Sequence, residues 1–313
     1  MGTLRIQRPG MLSTVQDLGR VGCSAIGVPR GGAADSLSLR IGNRLLGNTD
    51  DGAAIEMTML GGEFVFNDPA TVCLTGGACE HATLPLNTPR ELPAGATLSV
   101  GPITQGVRAY LCIAGGVRVP RTLGSASTCL GARFGGHHGR ALRAGDTIEF
   151  GSPGRSPART LPSGREWPFP RSMPILAVPA PGSSIDPAVQ RAFWEGTHTI
   201  SAQSNRTGVR LSRVGGWSIG HAGTSARMIT EGMPEGAVQL PPSLEPIILG
   251  PDHPTTGGYP VIACIASIHL HRIGQLRPGD TVRFQRISRA DALRDFRDYQ
   301  RALDVLLPAC PAP

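Results

Sequence analysis

The sequence predicts a mainly β fold built twice over, and three observations carry that expectation. Its 313 residues include 42 glycines and 28 prolines, which interrupt the chain too often for long helices. They are spread among short Val/Ile/Thr runs, a pattern of turns between strands. Residues 142–150 read L-R-A-G-D-T-I-E-F and residues 276–284 read L-R-P-G-D-T-V-R-F. Weaker echoes run in the same order: Gln16…Gly22 with Gln203…Gly208, Ile55-Glu56 with Thr230-Glu231, and the Gly-Gly at 115–116 with that at 257–258. The spacing between partners shrinks steadily along the chain, as a second copy with shorter loops would give.

The elements come in order. Asp35 is placed to N-cap a helix over 36–46, with Leu37, Ile41 and Leu45 on one face and Gly47-Asn48 as its stop. Strand-like runs occupy 62–66, 71–75, 96–100, 107–114 and 147–150. Residues 152–174 carry many prolines and few aliphatics and read as a connector, with Trp167 and Phe169 available to pin it to a surface. Strands resume at 175–178, 237–240, 246–249, 261–266 and 281–284. Between them Asp186-Pro187 opens a short helix that closes at Gly196. Ser288, with Asp291 three residues on, caps a C-terminal helix to about Leu307 whose interleaved Arg and Asp form a solvated face. The expected organisation is a first subdomain over 1–151, the connector 152–174, a second subdomain over 175–287, and a helix with tail over 288–313.

Composition excludes several chemistries. The chain has no lysine, and all 30 of its cationic side chains are arginine. That rules out a Schiff-base lysine, a phosphate-loop lysine and an attachment point for biotin or lipoate. The net charge of +7 is scattered and aromatic residues make up 4%, so nucleic acid is not expected. Arginine grips carboxylate or phosphate through two parallel hydrogen bonds, so small anions are. Seven cysteines without a C-x-x-C pair fit a reducing cytoplasm. No apolar run approaches a membrane span, and no membrane association is expected.

The densest polar loop is Pro251–Pro260, P-D-H-P-T-T-G-G-Y-P, set between two apolar runs. It supplies Asp252, His253, Thr255, Thr256, Gly257, Gly258 and Tyr259. The two glycines are expected to take positive φ and let the backbone approach a ligand. Arg206, in S-N-R-T-G, is the first choice for gripping an anion. Glu231, like its echo Glu56, is read as a buried hydrogen-bonding acid. Near the N-terminus Asp17 and Arg20 lie in a glycine-bounded loop that fits either structural turns or recognition of a carboxylate or amide. His137-His138, if on a strand, point to opposite faces. His269 and His271 share a strand face, or neither if the segment is helical. Neither pair has an acid or cysteine at ligand spacing, and no metal site is expected.

Together the runs T-V-Q-D-L-G-R, L-R-I-G-N-R-L-L-G-N, I-E-M-T, Y-L-C-I-A-G-G, L-G-S-x-S-T, S-N-R-T-G-V-R-L, E-G-M-x-x-G-A-V-Q-L-P-P and T-T-G-G-Y-P resemble the carboxyltransferase domain family. That family includes allophanate hydrolase subunit 2-like proteins, the carboxyltransferase part of urea carboxylase and the C-type subunit of 5-oxoprolinase. The resemblance spans about residues 4–286 and implies two duplicated cyclophilin-like β-barrel subdomains. It implies a partner of the subunit-B (allophanate hydrolase subunit 1-like) type and an A-type lactam hydrolase subunit. It implies a complex that uses ATP to open 5-oxoproline to glutamate. The alternatives are a biotin-dependent carboxyltransferase acting on a urea-like amide, with biotin carried on another chain, and a non-catalytic antagonist that sequesters the B-type partner. In this reading Asp252, His253 and Tyr259 are catalytic, while Arg206, Glu231, Thr255, Thr256, Gly257, Gly258, Asp17 and Arg20 bind substrate. Two stretches depart from the family pattern: where A-D-R-Q-T-T-G-G-Y-P-K is frequent, this chain has His253-Pro254 in place of Arg-Gln and Val261 in place of Lys, and where Gly-x-Met-Asp is frequent it has Gly32-Ala33-Ala34-Asp35.

Overall fold

The computed structural model describes residues 1–152, 159, 174–181, 185–216 and 229–308. Most of the connector, with Trp167 and Phe169, lies outside the described residues. The chain divides into two compact units. One comprises Met1–Val21, Arg30–Trp167 and Ala302–Pro313, the other Gly22–Pro29 and Pro168–Arg301.

The first unit holds β1 (Gly2–Arg8), β2 (Leu12–Gln16), α1 (Ser36–Leu45), β3 (Ala54–Thr58), β4 (Glu63–Phe66) and β5 (Ala70–Cys79). It continues through β6 (Arg90–Leu92), β7 (Thr97–Ser99), β8 (Ile103–Ile113), β9 (Val117–Arg118) and β10 (Thr147–Phe150). These strands form two five-stranded sheets, ordered β7-β4-β1-β10-β9 and β2-β3-β8-β5-β6. Alternation decides which side chains turn inward. In β10, Ile148 and Phe150 are buried while Thr147 and Glu149 are exposed. One core takes Leu4, Ile6, Phe64, Phe66, Ile148 and Phe150 from the first sheet, and Ile55, Met57, Leu74, Leu111 and Ile113 from the second. The Asp35 cap forms as expected: its carboxylate accepts from the Ser38 amide at 2.9 Å and the Ser38 hydroxyl at 2.5 Å.

The second unit holds β11 (Ile175–Pro179), α2 (Pro187–Glu195), β12 (His198–Ile200), β13 (Gly208–Arg213), β14 (Glu231–Gly232) and β15 (Ala237–Gln239). It continues with β16 (Ile247–Leu249), β17 (Thr256–Gly257), β18 (Val261–Ile265), α3 (Leu270–Ile273), β19 (Thr281–Val282) and β20 (Phe284–Arg286). The last helix, α4 (Arg289–Leu306), starts in this unit and gives its final residues to the first. Eight strands run in the order β19-β12-β13-β16-β15-β18-β11-β20. β19 and β20 occupy opposite ends of that order yet are separated only by Arg283, so the sheet nearly closes into a barrel. Its interior takes Ile175, Phe193, Ile200, Leu211, Val238, Ile248, Ile265 and Phe284, with Phe193 stacked on Phe284 at 4.7 Å. β14 and β17 form a separate two-stranded ribbon.

The duplication is visible in hydrogen bonds. In the first unit the Gly145 amide donates to the Ile6 carbonyl (2.8 Å), and the Ile6 amide donates to Asp146 (2.8 Å). In the second, Gly279 donates to Ile200 and Ile200 to Asp280, both at 2.9 Å. The aspartate of each repeat accepts from the arginine amide three residues earlier, at 2.7 Å in Asp146 and 2.9 Å in Asp280. The glycines sit at φ +90° and +89°, a left-handed turn that other residues enter only at a cost. L-R-x-G-D is thus one turn used twice, each time tying an early strand of its unit to a late one.

The structure decides the two histidine pairs, and for His269 and His271 it takes the helical alternative. His137 and His138 lie in a turn, not on a strand, and their rings meet edge-on at 4.3 Å. His269 and His271 are on helical turns: His269 Nδ1 accepts from the Leu176 amide at 2.8 Å, and His271 lies parallel to Tyr299 at 6.1 Å.

Gly145→Ala and Gly279→Ala each force a Cβ into left-handed backbone and should cost ~1–2 kcal/mol in chemical denaturation. Unchanged stability in both variants would mean that the turn tolerates another conformation. Asp146 yields a pH prediction. Its hydrogen bonds from Arg140, outweighing burial, hold it down from 3.8 to about 2. A depressed folded pKa contributes stability that is present above the ordinary carboxylate value and lost as pH falls toward about 2. Melting of Asp146→Asn should therefore depend less on pH across that window than melting of the parent chain.

Candidate functional site

In the second unit, strand register builds the site. Antiparallel pairing sets Gly208 of β13 opposite Leu249 of β16. The pairing continues past the strand ends, where Gly250 donates to the Thr207 carbonyl (3.0 Å) and Asp252 to the Arg206 carbonyl (3.1 Å). A Cβ on Gly250 would collide with the Arg206 carbonyl oxygen, so glycine permits this approach. Arg206 and Asp252 are thereby set side by side. Arg206 Nε donates to Asp252 Oδ2 at 2.8 Å and Nη2 to Oδ1 at 3.0 Å. Both side chains are largely buried, at 5% and 8% exposure. This is the two-pronged grip that arginine offers a carboxylate, and here it is used within the protein.

His253 comes next in the chain and is buried. Its Nδ1 lies 2.7 Å from the Pro254 carbonyl, an oxygen that can only accept, so Nδ1 carries the ring proton. Burial pushes the imidazole below its usual pKa, against the opposing effects of that hydrogen bond and of the Asp252 charge.

Beyond it runs the ribbon, pairing Glu231 with Gly257 and Gly232 with Thr256. The Met233 amide adds a bond to the Thr255 carbonyl at 2.9 Å. Glu231, Thr256, Gly258 and Tyr259 are exposed, and Thr255 and Gly257 half-buried. Glu231 is therefore not the buried acid expected from its echo: it sits on a narrow ribbon that covers nothing with it. Neither Gly257 nor Gly258 takes positive φ. Gly257 is extended, and a Cβ there would strike the Gln239 amide, so its smallness serves packing against the protein.

In the first unit Asp17 is buried as a hub. Its carboxylate accepts from the Gly19 amide (2.8 Å), the Ser125 and Ser127 hydroxyls (2.6 and 2.5 Å) and the Ala126 amide (2.6 Å). Arg20, equally buried, donates to the Thr122 carbonyl at 3.2 Å and to the Ser127 carbonyl, and its guanidinium lies 4.6 Å over Phe134. Asp17 and Arg20 thus both hold the 122–127 segment. They belong to the first unit, and the 251–260 loop belongs to the second.

A second buried network centres on Glu56, the buried hydrogen-bonding acid expected from the sequence, and adds Tyr110 and Arg108, which were not singled out. Glu56 Oε2 accepts from the Tyr110 hydroxyl (2.8 Å) and the Ala34 amide (2.9 Å), and Arg108 lies 3.5 Å from Oε1. The Tyr110 hydroxyl accepts from the Asp35 amide at 2.8 Å. The signal was present as an acid inside the strand run I-E-M-T and a tyrosine inside Y-L-C-I-A, polar groups in segments otherwise destined for the core. No group of three or more metal-ligating side chains clusters among the described residues, and no helix there is long and apolar enough to cross a membrane.

Replacing Asp17 by Asn puts an amide among four donors. Urea denaturation of Asp17→Asn should show a loss of about 3 kcal/mol or more, the usual cost of leaving buried charged-group bonds unmade. A loss below about 1 kcal/mol would mean the segment finds other partners.

The profile of the carboxyltransferase domain, subdomain A and B, matches residues 26–286. The chain is 37% identical to the C-type subunit of 5-oxoprolinase from Escherichia coli, covering 97% of both proteins. It is 32% identical to that of Haemophilus influenzae, covering 93% of this chain and 94% of the relative. It is 33% identical to the urea amidolyase of Saccharomyces cerevisiae over 95% of its own length but only 17% of that protein. Among solved structures, the K. lactis urea amidolyase superposes with a TM-score of 0.88 at 29% identity, covering 99% of this chain and 20% of that one. The Kluyveromyces lactis urea carboxylase superposes with a TM-score of 0.87 at 30% identity, covering 99% and 30%. With its two β-rich units and the profile spanning most of its length, the chain belongs to the carboxyltransferase domain, subdomain A and B, family.

Proposed function

We propose that this chain is the C-type subunit of an ATP-dependent 5-oxoprolinase complex, which opens the lactam of 5-oxoproline to glutamate together with A-type and B-type subunits. One observation carries the reading: the match to the C-type 5-oxoprolinase subunit covers 97% of each protein at 37% identity. In urea amidolyase the similar stretch is 17% of a far longer chain. The place of action is the cytoplasm, where the six described cysteines, all free thiols, would stay reduced.

A second reading, a biotin-dependent carboxyltransferase acting on a urea-like amide, draws support from the superposition on urea carboxylase at a TM-score of 0.87. In that case biotin arrives on another chain, since this one has no lysine to carry it.

The substrate face proposed for the second unit is the exposed side of the ribbon. Thr256, Gly258, Tyr259 and Glu231 present hydroxyl, backbone and carboxylate groups there, and His253 lies a few residues before Thr256. These are the partners a small cyclic amide needs for its N–H, its C=O and its carboxylate-bearing ring.

The decisive assay is glutamate release dependent on both ATP and 5-oxoproline. The isolated chain should release none, and the complex co-expressed with A- and B-type subunits should turn over. Full activity from the chain alone, or none from the complete complex, would refute the assignment. Intact-mass measurement and avidin blotting of the purified chain should show no covalent biotin, and a biotin-sized mass shift would contradict the lysine argument.

A further inference from the structure

We infer that His253 is the proton-transferring group of the second unit, and that the Arg206–Asp252 pair is its mount rather than a grip for substrate anions. The inference rests on the amide-opening reading above and assigns separate roles within that site.

Three observations carry it. Asp252 and Arg206 are matched to each other through two hydrogen bonds of 2.8 and 3.0 Å at largely buried side chains. Pulling either away to meet a substrate would leave the other charge buried without this partner, which typically costs ~3–5 kcal/mol. The pair instead anchors the turn from which His253 projects: the Asp252 amide bonds back to Arg206, and the His253 amide to the Gly250 carbonyl at 3.1 Å.

The second observation is His253 itself. The residue is only 4% exposed. Nδ1–H is committed to the Pro254 carbonyl, which leaves the lone pair on Nε2. Among the described residues Nε2 has no hydrogen-bond partner, and the residue keeps a small exposure. A fixed, neutral imidazole with one open acceptor nitrogen is the geometry of a general base. His269 shows the contrast: its Nδ1 takes the Leu176 amide and its Nε2 lies 3.4 Å from Arg272, so neither nitrogen is open in this way.

The third is electrostatic. The Asp252 charge, which favours the protonated ring, is already paired with Arg206, and burial outweighs it, so the ring is held neutral near pH 7.

In the reaction, Nε2 takes a proton from the water that attacks the lactam carbonyl carbon. The O–H bond breaks, the water oxygen forms the C–O bond, and the C=O π pair moves onto the carbonyl oxygen. As that pair returns, the C–N bond breaks with its electrons on the ring nitrogen, which takes the proton from the imidazolium.

The test uses the reconstituted complex and the full-length chain. His253→Ala should lower turnover ~10²-fold with an unchanged melt, and added imidazole should restore part of it. In the parent complex kcat/KM should fall as pH drops through the lowered imidazole pKa, below 6.5, and this limb should vanish in His253→Ala. Asp252→Asn should destabilise the chain and lower turnover while keeping the limb. The inference is overturned if His253→Ala keeps wild-type turnover, if its limb persists, or if Asp252→Asn abolishes the limb instead. If the parent complex does not turn over 5-oxoproline, the activity reading fails separately. Imidazole 15N NMR of the full chain, assigned with His253→Gln, then decides for His253: a protonated Nδ1 with bare Nε2 supports the inference, and the opposite tautomer overturns it.

Discussion

The turn L-R-x-G-D is the constraint on which both units depend. In each, glycine at φ near +90° reverses the chain, and the aspartate folds back onto the amide three residues earlier. Paired backbone bonds then fasten the turn to an isoleucine, Ile6 in one unit and Ile200 in the other. A β-sheet of short strands has little local stability, and a late strand must be brought to an early one against the entropy of a long loop. A turn that presents its amide and carbonyl to a fixed partner meets part of that cost at a single point. The strands that leave each turn, Thr147–Phe150 and Thr281–Val282, are then in register to bury alternate side chains.

The other organising principle is that arginine is used internally. Arg44, 1% exposed, donates to Asp50 through Nε (2.6 Å) and Nη2 (2.8 Å), and through Nη1 to Asp304 (2.8 Å) and the Leu307 carbonyl (2.6 Å). This fastens the end of α4 to α1 within the first unit. The attraction and multiple hydrogen bonds raise the Arg44 pKa further, so the charge is permanent. Arg206 with Asp252 obeys the same logic on a smaller scale. A planar fork of donors can saturate a carboxylate and still reach backbone carbonyls, which a lysine ammonium does less well. In a chain without lysine, cationic side chains are correspondingly suited to serve as struts.

That distinction shapes the candidate site. Asp17, Arg20, Arg206 and Asp252 hold segments in place through contacts inside the protein. Of the candidate residues in the second unit, Glu231, Thr256, Gly258 and Tyr259 are exposed, while His253 is buried with its Nδ1 committed to the Pro254 carbonyl. Charge in a polar loop therefore does not by itself identify the group that meets a ligand; what matters is whether its bonding capacity is already filled. Beside the family resemblance, in which arginine is frequent at this position, His253 replaces a permanent cation by an imidazole that burial keeps neutral near pH 7.

How much could be read before the fold was known depends on the range of the interaction. Helix caps at Asp35, Asp186 and Ser288, the strand runs and the repeated turn are local, set by residues within a few positions of one another, and the sequence by itself determined them. The same holds for what the absence of lysine excludes. Glu56 and Glu231 show where that stops. Both come directly after a β-branched residue in similar runs, yet Glu56 is buried in a central strand against Tyr110 while Glu231 is exposed on a two-stranded ribbon. The glycine pairs diverge likewise: Gly115 and Gly116 take positive φ, and Gly257 lies extended in β17. Only the tertiary structure decided these, along with the mating of Arg206 to Asp252 across 46 residues of chain. The physical reason is that burial and hydrogen-bond saturation belong to the partner that long-range strand pairing brings alongside, and no residue carries that information in its own neighbourhood.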